Sequence, residues 1–254
     1  MTPSPTRWTA IFLAAATILA AGAAAVWWTG VRAAETELLR TDADAIPARP
    51  ALAAFAEARA RPVYARACAG CHGGRLEGDA RLGAPRLAGH VWLYGQGRVS
   101  EIEQTLTHGV RSGDPRGRNL ASMPAFARPE PYGRYHIPPL GPRDIRDVSL
   151  YILNLQGRGG DPAAVARGDA VYHTRGGCYD CHGQDARGDG AIGAPDLRAG
   201  RRLYGDGSAA SLYDSIAYGR AGACPAWSGR LSAANIRALA VFLHDRAYAD
   251  GPVA

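Results

Sequence analysis

Apolar positions in this chain fall into one long run followed by short, interrupted stretches. Residues 8–28 carry no charge across 21 positions and are bracketed by Arg7 and Arg32. At about 1.5 Å per residue that run just crosses a hydrocarbon core of about 30 Å. Tryptophans at both ends favour a retained span over a cleaved signal peptide, although small-residue cleavage sites exist around residues 22–25 and 31–34. The sharpest helical patterns come late. After Pro142, residues Ile145, Val148, Ile152 and Leu155 recur at helical spacing, and after Ser232 so do Ile236, Leu239, Phe242 and Leu243. Pro142 suits a first helical turn and Ser232 an N-cap. Residues 51–61 read as partly helical, and 156–162, with three glycines, as a linker. The expected fold is all-α.

Between these helices stand two copies of C-x-x-C-H, 110 residues apart: Cys68, Cys71 and His72, then Cys178, Cys181 and His182. In this motif two thiols can add across haem vinyl groups and the adjacent imidazole can ligate the iron. A bare C-x-x-C also suits zinc or a redox disulfide, but here a longer repeat surrounds it. Gly83-Ala84-Pro85 recurs as Gly193-Ala194-Pro195, and Leu93-Tyr94-Gly95 as Leu203-Tyr204-Gly205, at the same offset. Met123-Pro124-Ala125-Phe126 answers Cys224-Pro225-Ala226-Trp227 at a shorter offset, leaving the first copy with extra loop at 112–119 and 128–139. Units near 90 residues are small for a self-sufficient core, and a covalent haem supplies apolar mass.

The expected organisation is a transmembrane anchor (1–31), a tether (32–61) and two tandem class I-like cytochrome c domains (62–157 and 158–254), with two covalently bound haem c groups. Met123, the only internal methionine, is expected as distal ligand of the first haem, opposite His72. Cys224, at the equivalent position, is expected opposite His182. The alternatives there are a five-coordinate haem or one of the spare histidines His90, His108, His136, His173 and His244. Thiolate ligation would hold that haem at a lower potential. Pro85 and Pro195, each 13 residues beyond its histidine, are candidate carbonyl partners for the imidazoles. Arg111 and Arg220 are candidates for pairing with haem propionates. The net charge of +6 rests on arginine alone, since lysine is absent. Those arginines are scattered without aromatic interleaving, so no nucleic-acid surface is expected.

Trp92-Leu93-Tyr94-Gly95, the stretch from Ile102 through His108 to Ser112, and Met123-Pro124-Ala125-Phe126 resemble the first haem domain of the membrane-anchored dihaem subunit III of cbb3-type cytochrome c oxidases. Gly193 to Leu197, Leu203-Tyr204-Gly205, Gly219-Arg220 and Pro225-Ala226-Trp227 follow in that subunit's order, so that the similarity covers residues 63–247. The resemblance implies a single-pass protein of the bacterial inner membrane with its haem domains in the periplasm. It would take electrons from a donor cytochrome c and pass them to a monohaem subunit and the haem–copper catalytic subunit. Cys224 departs from that family, which carries methionine there. The other readings are a free-standing anchored electron shuttle and a thiosulfate-dehydrogenase-like enzyme using a Cys-ligated haem.

Overall fold

The structure, a computed structural model, describes residues 5–89, 91–132, 135–200 and 203–248. Helix α1 runs unbroken from Pro5 to Arg40, followed by a single 3-10 turn, Ala43–Ala45, and by α2, Pro50–Ala67. A short helix α3 (Ala69–His72) and α4 (Val99–His108) complete the first half of the chain up to its distal loop. A two-stranded antiparallel hairpin, β1 (Glu130–Tyr132) with β2 (Tyr135–Ile137), lies in the inserted loop. Then come α5 (Pro142–Leu155), α6 (Pro162–Tyr172), the short α7 (Tyr179–His182), α8 (Ala209–Tyr218) and α9 (Ala233–Tyr248). Apart from that hairpin and isolated bridges, the regular structure among the described residues is helical.

Local chemistry explains the helix starts. Pro50, Pro142 and Pro162 each occupy a first-turn position, where the missing N–H has no intrahelical partner in any case. The Asp161 carboxylate accepts from Ala163 N and Ala164 N, Ser208 Oγ from Ser211 N, and Ser232 Oγ from Asn235 N.

Two apolar cores form, and neither follows the sequence boundary expected at 157/158. In the first, Leu52, Ala56 and Val63 of α2 and Ile102 and Leu106 of α4 pack against Ile236, Leu239 and Leu243 of α9. In the second, Val171 and Tyr172 of α6 and Ile216 of α8 pack against Ile145, Val148 and Ile152 of α5. Each core therefore takes its closing helix from the other half of the chain. The exchange is fixed by backbone pairing between the two distal segments. Val110 and Cys224 each donate an amide to the other's carbonyl at 2.9 Å, and Met123 and Arg220 do the same at 3.0 Å. Beyond them Trp227 N donates to Leu106 O and Phe126 N to Ile216 O.

Close backbone contact seals the junction. A Cβ on Gly222 would lie 2.1 Å from Gly83 O, and one on Gly168 2.1 Å from Asp147 O, so both positions need glycine to let their neighbours approach. Asp147, only 5% exposed, joins α5 to α6 by accepting from Arg167 Nε at 2.7 Å.

Residues 32–61 do not form a tether. Helix α1 continues to Arg40, and Leu38 and Ile46 are fully buried in the first core. Arg237 of α9 donates to Leu38 O and Thr41 O and pairs with Glu103 at 2.7 Å, while Ser100 donates its amide and hydroxyl to Asp44. The described apolar residues of α1, by contrast, are open: Phe12, Leu19 and Trp27 are about 70% exposed. The helix is long and apolar enough to cross a membrane. The side chains of Arg7 and Trp8, the sequence markers of its outer end, lie outside the described residues.

Candidate haem c sites

Each C-x-x-C-H folds as one helical turn, directly after α2 in the first copy and six residues after α6 in the second. His72 N donates to Cys68 O and His182 N to Cys178 O, both at 2.9 Å, which gathers two thiols and an imidazole within a single turn. The following residues, Gly73 (φ 77°) and Gly183 (φ 78°), are in the left-handed region and turn the chain away. A tyrosine hydroxyl from the preceding helix clamps each turn: Tyr64 donates to Gly73 O at 2.7 Å and Tyr172 to Gly183 O at 2.8 Å. The sequence reading missed this pair. The tyrosines do not share the common offset of 110 residues, and a search at a fixed register passes over them.

Both imidazoles face the same kind of partner. His72 Nδ1 donates to Pro85 O at 2.9 Å and His182 Nδ1 to Pro195 O at 3.0 Å. A carbonyl can only accept, so the proton sits on Nδ1 and the Nε2 lone pair is left for a metal. Burial lowers the pKa of both rings, against the opposing pull of the carbonyls, and keeps them neutral. All five cysteines are unpaired. Among the described residues no group of three His, Cys, Asp or Glu side chains is arranged to hold a bare metal ion.

The distal residues are where the structure corrects the sequence reading. A cavity of about 440 Å³ opens beside Cys178, Cys181 and His182, walled by Val148, Ile152, Leu203 and Ile216. Met123, expected opposite His72, lines this cavity instead. Cys224, expected opposite His182, lies on the other side: its thiol neighbours those of Cys71 and Cys68, and Trp227 beside it packs on the first core. The cause is the exchanged pairing of the distal segments, which delivers each loop across the junction. Burial pushes the Cys224 thiol up, partly offset by a hydrogen bond from Trp227.

Arg111 and Arg220 both border the Met123 cavity. Arg111 spends its guanidinium on main-chain carbonyls: Nε and Nη2 donate to Gly222 O, and Nη1 to Ala121 O at 2.8 Å. Of the spare histidines, His108 bonds Asp114, His173 bonds Gln184 O and Asp169, and His244 bonds Gly97 O; none lines the cavity. His90 and the side chain of His136 lie outside the described residues.

The residues present suit haem c on each count: two free thiols, an imidazole presented through Nε2, an apolar cavity and arginines at its edge. Residues 57–156 match the family described as Cytochrome c, and residues 163–243 match the one described as Cytochrome C oxidase, cbb3-type, subunit III. With one site in each match, this is a dihaem c-type cytochrome with two covalently bound haem c groups. Similarity extends over most of the chain to the cbb3-type cytochrome c oxidase subunit CcoP of Azospirillum brasilense, 40% identical over 83% of this chain and 68% of that protein. The CcoP subunit of Azospirillum sp. (strain B510) is 37% identical over 87% of this chain and 70% of its own length, and that of Rhodobacter capsulatus 36% over 84% and 70%. The chain belongs to the family of subunit III of cbb3-type cytochrome c oxidases, and is an electron-transfer subunit of an oxidoreductase complex.

Proposed function

We propose that this chain relays electrons on the periplasmic side of the membrane, from a donor cytochrome c to the monohaem and haem–copper subunits of a cbb3-type oxidase. The observation that carries this reading is the pair of C-x-x-C-H turns on one interlocked framework, in a chain whose relatives are CcoP subunits. Cys68, Cys71 and His72 hold the first haem, and Cys178, Cys181 and His182 the second. Haem c supplies a one-electron Fe(III)/Fe(II) couple at each site. The protein's part would be to hold each haem through its histidine and distal residue, so that little reorganises on electron transfer, and to exclude water with the apolar walls of the cavity beside His182.

The distal assignment follows the exchange: Met123 serves the haem at His182, and Cys224 serves the haem at His72. A thioether favours ferrous iron and a thiolate ferric iron, so the Met123 site has the higher potential. Helix α1 anchors the chain in the bilayer, with Arg7 on the cytoplasmic side. The buried foot of that helix, Leu38 with Arg237, holds the first haem site at a fixed attitude to the membrane. Cys224 is pinned by two backbone hydrogen bonds in a closed loop, which favours a relay over an enzyme that must displace its thiolate to admit a sulfur substrate.

A mild-detergent pull-down through a C-terminal tag, with mass spectrometry and oxygen consumption, tests the relay. Recovery of a haem–copper subunit with oxygen uptake is expected. A dihaem chain recovered alone would move the free shuttle to the front. For the ligands, electron paramagnetic resonance of the oxidised protein is expected to show one His/thiolate and one His/Met low-spin signal; a spectrum without the compressed thiolate signal would remove Cys224 from the iron.

A further inference from the structure

Arg220 occupies the position after Gly219 that Val110 occupies after Gly109, and each pairs through its backbone with a distal residue, Met123 for Arg220 and Cys224 for Val110. A cation therefore stands at one haem site where the other has an aliphatic side chain. The Arg220 guanidinium lies over the Tyr204 ring, 4.7 Å from its centroid. Nη1 donates to Ala80 O at 3.2 Å and Nη2 to Ser215 Oγ at 2.8 Å, while Nε is buried without a partner. Among the described residues no ion pair includes Arg220. A guanidinium this enclosed is costly unless an anion faces it, and its fork geometry matches a carboxylate. Arg111, committed to three bonds with two carbonyls, has no such free edge.

We propose that Arg220 binds a propionate carboxylate of the haem at Cys178, Cys181 and His182 and ties it, through Ala80, to the loop that carries Pro85. The inference rests on the haem assignment given under Proposed function. Arg220 is thus a positioning residue. It neutralises a haem carboxylate at the Met123 site, favouring ferrous iron there, and joins that haem to the backbone that orients His72. Val110 leaves the Cys224 site without an equivalent cation, so the charge difference widens the gap in potential that the ligands set.

The test is spectroelectrochemistry on the full-length holoprotein in detergent, with Arg220→Gln and Arg220→Lys compared and covalent haem counted by pyridine haemochrome. In Arg220→Gln the haem identified by its methionine–iron charge-transfer band is expected to shift at least tenfold toward ferric at fixed potential, a fall of about 59 mV for a one-electron couple. Arg220→Lys should restore most of it, and the other haem should stay in place. An unmoved midpoint in Arg220→Gln with two haems bound overturns the proposal, as does an equal shift of both haems. Should Arg220→Gln not fold, infrared redox difference spectra with carbon-13-labelled propionates decide: a carboxylate band that moves between wild type and Arg220→Lys supports the pairing, and an unmoved band overturns it. Fewer than two haems in the wild type would instead sink the underlying haem assignment.

Discussion

The two haem sites are alike on their proximal sides and unlike on their distal sides. In both, a histidine ring donates Nδ1–H to a proline carbonyl and a tyrosine hydroxyl clamps the glycine carbonyl after it. On the proposed distal side, Met123 pairs through its backbone with Arg220 at one site and Cys224 with Val110 at the other. The proximal turn is local, built from residues within 23 positions of one another, and each half of the chain repeats it. The distal side comes from a segment that has crossed the junction, and there the halves have diverged in charge and ligand softness. Under the proposed ligation, a difference in potential between the sites would originate on the exchanged side.

The largest effect should come from Cys224→Met. Axial ligands span about 0.8 V across haem proteins, so a rise of tenths of a volt is expected, at the haem of His72 and not that of His182. Potentiometry resolved by haem, with the thiolate resonance lost, checks it; a rise at the other haem would undo the crossed assignment. Met123→Ala should next leave the haem at His182 five-coordinate and high-spin while the haem at His72 stays low-spin, as resonance Raman spectra would report. Conversion of the His72 haem instead would mean that the distal loops are not exchanged.

Gly222→Val probes the junction itself. Its side chain would meet Gly83 backbone, and overpacking of this kind costs about 1–3 kcal/mol. Because the segment serves both sites, both haems should lose their native spectra in one thermal transition; two separated transitions would argue for independent modules.

The smallest effect concerns the foot of the anchor, where Ala43 and Ile46 pack into the first core. Burial raises the Asp44 carboxyl, but two hydrogen bonds from Ser100 and the nearby Arg98 outweigh it and leave its pKa lowered. A depressed carboxylate contributes stability that is present above its unfolded pKa of about 3.9 and lost as pH falls through the folded value. Acid should thus loosen residues 41–46 first, and Asp44→Asn should remove that pH dependence; hydrogen exchange of the segment would show an unaltered profile if the clasp does not exist.

Much of this could be read without coordinates because it is local. The C-x-x-C-H turns, the proline carbonyls at a repeated spacing of 13 and the amphipathic faces of α5 and α9 all follow from short-range pattern. The partner of each helix does not. Ile145, Val148 and Ile152 on α5 offer an apolar stripe of the same kind as Ile236, Leu239 and Leu243 on α9. Periodicity says which face is buried but not against which neighbour, and two repeat-equivalent helices are close to interchangeable on that criterion. The exchange is decided by the Val110–Cys224 and Met123–Arg220 pairings, contacts between residues about 100 positions apart. The tether expected at 32–61 fails for the same reason: Leu38 and Ile46 are unremarkable in a mixed-charge stretch until α9 is placed beside them.

Helix α9 follows both C-x-x-C-H turns in the chain yet closes the first core. As the polypeptide is made from its N-terminus, the first pair of thiols appears long before the helix that will cover its turn. The second pair, by contrast, finds α5 already present when it appears. Order of synthesis thus leaves the Cys68–Cys71 turn uncovered until the last helix has been made. It also makes the last helix the step that closes the first module, so a truncation after α8 would impair the site farthest from the cut in sequence.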